Sequence, residues 1–200
     1  MKNTPIPNPD SVRLVPATAE HWDRLERLFG PRGACAGCWC MWWRVAPKAW
    51  RAGKAGPNRT AFRALVRDAA VPPGIVALVG DEAIGWCAVA PRQEYPRLER
   101  SRILAPIDAA SVWSVTCFFV ARECRGGHLT PRLLEAAAEL ARRNGGRILE
   151  GYPVDTGGRR TAGAFLFTGT CSAFLAAGFR EVARRSPTRP IMRRALDRGE

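Results

Sequence analysis

Residues Ser111–Asn144, SVWSVTCFFVARECRGGHLTPRLLEAAAELARRN, read as a strand, a tight glycine-containing turn and an amphipathic helix. Val112, Trp113, Val115, Thr116, Phe118, Phe119 and Val120 make a β-branched and aromatic run without Gly or Pro, which predicts a buried strand. Leu129, Leu133, Leu134, Ala137, Leu140 and Ala141 recur at helical intervals, with Arg132, Glu135, Glu139 and Arg143 on the other side. Thr130 is the expected N-cap, with Pro131 at the first helical position, where no amide donor is needed. Asn144-Gly145-Gly146 supplies a left-handed exit.

Between strand and helix lies Arg122 to Thr130. A loop running into a helix N-terminus turns several unpaired amides outward, with the positive end of the helix dipole behind them. Glycines at Gly126 and Gly127 let an anion approach the main chain, and Arg122 and Arg125 add positive charge. The same nine residues also fit an ordinary connection carrying solvated arginines.

This segment resembles the acyl-CoA-binding core of the GCN5-related N-acetyltransferase (GNAT) superfamily, whose signature is Arg/Gln-x-x-Gly-x-Gly/Ala after a strand and before a helix. Arg125 takes the Arg/Gln position, while His128 and Thr130 stand where the two glycines belong. The lead-in FFVAR, the turn RGG and the helix LLEAAAELAR fall in register around it. Farther on, Phe174-Leu-Ala-Ala-Gly178-Phe179 followed by Glu181-Val182 is similar to the family's late helix, Gly-Phe turn and final strand pair. The resemblance runs from about Val12 to Leu196. It implies an α/β (α+β) fold: a mixed, largely antiparallel sheet of six to seven strands, flanked by helices, with one splayed parallel pair.

The chain's 200 residues suit one domain with a full core, spanning residues 1–200 with residues 1–10 as a loose arm. There is no uninterrupted apolar window of about 18 residues, and MKNTPIPNPD is polar, so neither a membrane span nor a signal peptide is expected. A cytoplasmic location follows as an expectation. The formal charge of +13 would ordinarily suggest a polyanionic partner. However, the basic residues are nearly all arginine and scattered, which favours a solvated surface over a nucleic-acid face. Seven cysteines are an odd number for a disulfide framework. Cys35, Cys38 and Cys40 have metal-like spacing but lack a second pair, so no metal is expected.

Val12–Pro16 is expected to be the first strand, and Thr18 to cap a helix through Trp22 and Phe29 in which His21 faces solvent. Gly33 to Trp50 is dense in tryptophan. Trp39, Trp42 and Trp43 either pack a satellite core or line an aromatic acceptor pocket whose ring faces take a cationic amine. Thr60 is the expected cap of the next helix. Ile75–Val79 and Ala83–Ala90 form a hairpin across Gly80-Asp81. Pro91 to Ala110 is a long loop holding Glu94, Tyr95, Glu99, Arg100 and Asp108. Arg147–Tyr152, a short helix over Cys171–Ala177, and strands Phe179–Arg184 and Pro190–Arg194 complete the chain.

The resemblance also assigns roles. Main-chain groups of Phe118, Phe119 and Val120 would pair with the pantetheine arm of acetyl-CoA. The diphosphate would rest on amides from Gly126, Gly127, His128, Leu129 and Thr130, with Arg125 alongside. Many relatives use a tyrosine in the late helix as the acid, and Phe174 occupies that place. Glu150 and Glu99 are the candidate bases. The expected activity is transfer of an acetyl group from acetyl-CoA to a small primary amine in a ternary complex. Monomer and homodimer are both compatible with the sequence, and neither nucleic acid nor membrane is an expected partner. The alternatives are a non-catalytic acyl-CoA sensor, or a cysteine-liganded metal protein whose basic surface binds nucleic acid.

Overall fold

The computed structural model describes residues 11–126, 128–159 and 161–196. Among these, seven strands form one sheet: β1 Val12–Pro16, β2 Gly74–Val79, β3 Glu82–Pro91, β4 Trp113–Val120, β5 Ile148–Gly151, β6 Arg180–Arg184 and β7 Pro190–Ala195. Their spatial order is β1-β2-β3-β4-β5-β7-β6. Every neighbouring pair is antiparallel except β4 and β5, which run parallel. The helices are α1 Trp22–Phe29, α2 Pro47–Ala52, α3 Pro57–Asp68, α4 Pro96–Glu99, α5 Leu129–Arg143 and α6 Cys171–Ala176. The expected open mixed sheet with one parallel pair is therefore present, while the expected N-terminal arm lies outside the described residues.

Alternation along β2 and β3 explains why helices cover both faces. Ile75, Ala77, Cys87 and Val89 pack with Leu133, Leu134 and Ala137 of α5. Their neighbours Val76, Leu78, Trp86 and Ala88 face Leu25 and Phe29 of α1 and Phe62 and Val66 of α3. Each fully buried leucine contributes about 1.5–3 kcal/mol of transfer free energy. Gly80, at φ 56°, makes the β2–β3 turn, and Arg24 of α1 pairs with Asp81 there.

Three local expectations are corrected. Helix α5 begins at Leu129 with His128 in the left-handed N-cap position, so Thr130 lies inside the first turn. Pro131 is still tolerated there, because the first four amides of a helix have no intrahelical partner. Helix α3 begins at Pro57, a residue preset for the first helical position, which leaves Thr60 inside the helix. His21 is buried rather than solvent-facing, because its Nδ1 accepts from the Thr18 amide at 3.3 Å and closes a capping box. Among the described residues no helix is long and apolar enough to cross a membrane.

Candidate active site

Strands β4 and β5 stay paired only from Trp113–Leu149 to Val115–Gly151, after which β4 continues to Val120 with β3 as its one strand neighbour. The chain beyond β5 moves away and makes one further bridge, from Val154 to Thr170. A fork results. At its root the Ser114 and Tyr152 hydroxyls meet at 2.8 Å, fastening the two sides. Phe174 of α6 fills the space just beyond, edge-on to Phe118 with ring centroids 6.1 Å apart. The absence of a side chain at Gly151 admits it, since a Cβ there would lie 2.0 Å from Phe174 Cε1.

The open end of the fork leads to two adjoining cavities. One, of about 450 Å³, lies between Phe118, Phe119 and Val120 of β4 and the segment Gly163 to Gly169. The other, of about 410 Å³, is lined by Arg125, Gly126, His128, Leu129 and Thr130. Val120, Arg125, Thr130 and Thr170 border both, so the pair forms one trough from the fork to the N-terminus of α5. Gly126 has φ 85°, and a Cβ built there meets nothing within 4 Å, so the turn is open to an incoming group. Arg125 Nε donates to the Val120 carbonyl at 3.1 Å, which holds the guanidinium beside the trough. Roughly half a unit of positive charge sits at a helix N-terminus. The trough thus has an anion-accepting end and an apolar end, as a nucleotide diphosphate joined to an extended arm would need.

The expected lining residues divide between the two sheet faces. Phe118, Val120, Arg125, Gly126, His128, Leu129 and Thr130 come together at the trough. Phe119 also borders it, but its ring packs 5.5 Å from Phe29 on the opposite face. Gly127 lies outside the described residues. At the apolar end the protein supplies its own occupant: the Phe118 amide donates to the Phe167 carbonyl at 2.6 Å. Composition gave no warning of that contact, because it joins residues far apart in sequence.

The tryptophans do not form one pocket. Trp39 is buried against Trp22 and Phe29, with ring centroids 6.1 and 5.7 Å away, so it is core and not an acceptor wall. Trp43 Nε1 donates to the Thr116 carbonyl at 3.1 Å, one residue past the last β4–β5 pair. Its ring lies 6.5 Å from Phe167. Trp42 and Trp43 line a separate cavity of about 400 Å³ together with Pro47, Pro96, Arg97 and Arg100. The Arg97 guanidinium already lies 3.5 Å from the Trp42 ring centroid, and the Lys54 ammonium 4.2 Å from that of Trp50. One face of each of these two rings is thus taken by a cation of the protein itself.

Glu150 and Glu99 are brought together, but around Arg92. Arg92 Nε donates to Glu99 Oε1 at 2.6 Å and its Nη1 to Glu150 Oε1 at 2.7 Å. The Tyr152 hydroxyl also donates to Glu150 Oε1, and Arg193 Nε to Oε2 at 2.7 Å. Glu150 is 1% exposed. A general base needs an open lone pair within reach of the acceptor's proton. Glu150 offers none, and the network instead ties the loop after β3 to β5 and β7. Burial, with Glu150 beside it, pushes the Tyr152 hydroxyl well above its ordinary range, so it stays a donor. Burial also pushes Tyr95 up to about 12, against the nearby Arg44 guanidinium. The hub Arg92 is only 5% exposed, and sequence reasoning missed it because an arginine after a strand normally reads as surface.

Cys40 points inward, its Sγ 3.4 Å from that of Cys117 and accepting from Trp86 Nε1 at 3.1 Å. Burial holds this thiol protonated. Among the described residues no three His, Cys, Asp or Glu side chains gather as a metal ion would require.

Comparison with known proteins agrees with this geometry. No curated protein matches the chain. A solved structure of a yellow fever mosquito protein assigned as arylalkylamine N-acetyltransferase 7 superposes with a TM-score of 0.58 at 12% identity, covering 93% of this chain and 88% of the other. The Drosophila melanogaster polyamine N-acetyltransferase that forms N-acetylagmatine gives a TM-score of 0.51 at 9% identity, with 91% and 97% covered. A GCN5-related N-acetyltransferase from Kribbella flavida gives 0.55 at 19% identity, with 94% and 100% covered. At such identities these structures share the fold. The family model for the acetyltransferase (GNAT) family matches residues 37–160, from within the tryptophan-rich segment to beyond β5, and the chain belongs to that family.

Proposed function

We propose that the protein transfers the acetyl group of acetyl-CoA to a primary amine of a small molecule, directly, with both substrates bound together. The observation that carries this reading is the trough joining the β4–β5 fork to the N-terminus of α5. Amides at the start of α5, with Arg125, would hold the diphosphate, and the fork would hold the pantetheine arm. When bound, acetyl-CoA supplies the thioester: the amine nitrogen bonds to its carbonyl carbon, the carbon–sulfur bond breaks, and the amine's proton ends on the released thiol. The protein's part is mainly alignment and donation. Once Phe167 yields, the Phe118 amide is free to donate to the pantetheine arm or to the oxygen that gains negative charge. With Glu150 and Glu99 bound to Arg92 and no hydroxyl at Phe174, water is the carrier that fits for the amine's proton. A cytoplasmic location goes with this donor, and we assign it on that ground.

The test has two stages. Acetyl-CoA should raise the melting temperature, and addition of small primary amines should then release thiol in proportion to acetylated product. A shift without thiol release from any amine would instead support an acyl-CoA-binding sensor. That second reading draws on the Phe118–Phe167 bond, which spans the mouth of the fork.

A further inference from the structure

The cavity under Trp42 and Trp43, of about 400 Å³, lies outside the acetyl-CoA trough. Trp42, Trp43, Pro47 and Pro96 give it apolar walls, and Arg97 and Arg100 line it with positive charge. One of its lining residues is Trp43, whose indole is bonded to the Thr116 carbonyl one residue past the last β4–β5 pair. Trp43 therefore borders both this cavity and the fork.

The charge around this cavity is unbalanced. The acidic residues of the adjoining loop are committed elsewhere: Glu94 to Arg44, Glu99 to Arg92 and Asp108 to Arg193. Among the described residues neither Arg97 nor Arg100 has a carboxylate partner. Arg97 Nη1 is buried and donates to no described group. Burial and the nearby Arg51 both lower the pKa of Arg97, the sign expected for a cation crowded by another without a counter-ion.

We infer that this cavity is the acceptor site and that it takes an amine which also carries a carboxylate beside an apolar body, the chemistry of an apolar or aromatic amino acid. Two guanidinium groups suit a carboxylate, the rings and prolines suit the apolar body, and the surplus positive charge disfavours a polyamine. This deepens the acetyl-transfer reading and rests on it.

The test is calorimetric titration of the whole protein with phenylalanine and with phenethylamine, which differ by the carboxylate alone. Phenylalanine should bind at least about tenfold tighter, and Arg97→Gln should reduce that preference to about threefold or less while leaving the acetyl-CoA melting shift unchanged. Equal binding of the two, tighter binding of phenethylamine, binding of neither, or a preference that survives Arg97→Gln would each overturn the assignment. If acetyl-CoA gives no melting shift with the unaltered protein, the transfer reading fails separately, and the titration still scores the cavity.

Discussion

The backbone amide of Phe118 donates to the carbonyl of Phe167 over 2.6 Å, across the mouth of the fork that β4 makes with the chain after β5. Thr168 is held behind it by Arg189 Nη1 at 2.8 Å, and Gly169 accepts from the Val154 amide at 2.9 Å. The segment Gly163–Gly169 thus behaves as a provisional third rail between two diverging strands. Ligand entry must exchange one backbone acceptor for another.

Hydrogen exchange reads that swap. With acetyl-CoA present, amides of Gly163–Gly169 should exchange faster and those of Gly126–Thr130 more slowly. Slower exchange in both segments would mean that the ligand leaves the Phe167 contact in place.

Glu150 is expected to act on stability before it acts on chemistry. Glu150→Gln removes the charge from a buried carboxylate paired with Arg92 and Arg193, and should cost about 3–5 kcal/mol in a urea titration. Glu99, whose side chain is 45% exposed, should cost under about 1 kcal/mol when changed to Gln. A Glu150→Gln protein with unchanged stability and much reduced kcat would restore the base assignment.

Gly151→Ala tests the root of the fork. The added methyl would meet Phe174 Cε1 at 2.0 Å with buried strand on every side, so a loss of about 1–3 kcal/mol is expected. The double variant Gly151→Ala/Phe174→Leu should recover part of it, because the clash disappears with the ring. Additive losses would contradict the packing described here.

His21 gives stability a pH dependence. Burial lowers its pKa from 6.5, with Glu20 opposing and Arg24 and Arg13 assisting. The unfolded chain therefore takes up this proton at higher pH than the folded one. The stabilisation is complete above about pH 6.5 and declines as pH falls from there toward the lower folded pKa. The drop in urea midpoint between pH 7.5 and 5.5 should shrink in His21→Gln, and an unchanged drop would remove His21 as its source.

Much of the architecture was legible in the residues themselves. The run Val112–Val120 and the spacing from Leu129 to Ala141 are strong local signals, and β4 and α5 lie where those signals put them. The glycine-first turn at Gly80 likewise placed the β2–β3 hairpin. That Arg125, Gly126, His128, Leu129 and Thr130 lie together was legible for the same reason, since they belong to one continuous segment. The apolar end of the trough and the acceptor side depend on contacts between distant residues, such as Trp43 with Thr116 and Arg92 with Glu150. No periodicity encodes those contacts. Candidate bases chosen from strand and loop position could not reveal that both carboxylates bond to one buried arginine. The three tryptophans look alike in sequence, yet Trp39, at φ 46°, is buried in the core while Trp42 and Trp43 are only half-buried.

The central claim is that amides at the start of α5 receive the diphosphate of acetyl-CoA. Calorimetric titration with acetyl-CoA of the unaltered protein and of Gly126→Asp tests it most directly, because a carboxylate at the open Gly126 position would oppose the phosphates. The account predicts one-to-one binding that weakens by at least about tenfold in the variant. Absence of binding to the unaltered protein, or equal affinity in both, would contradict it.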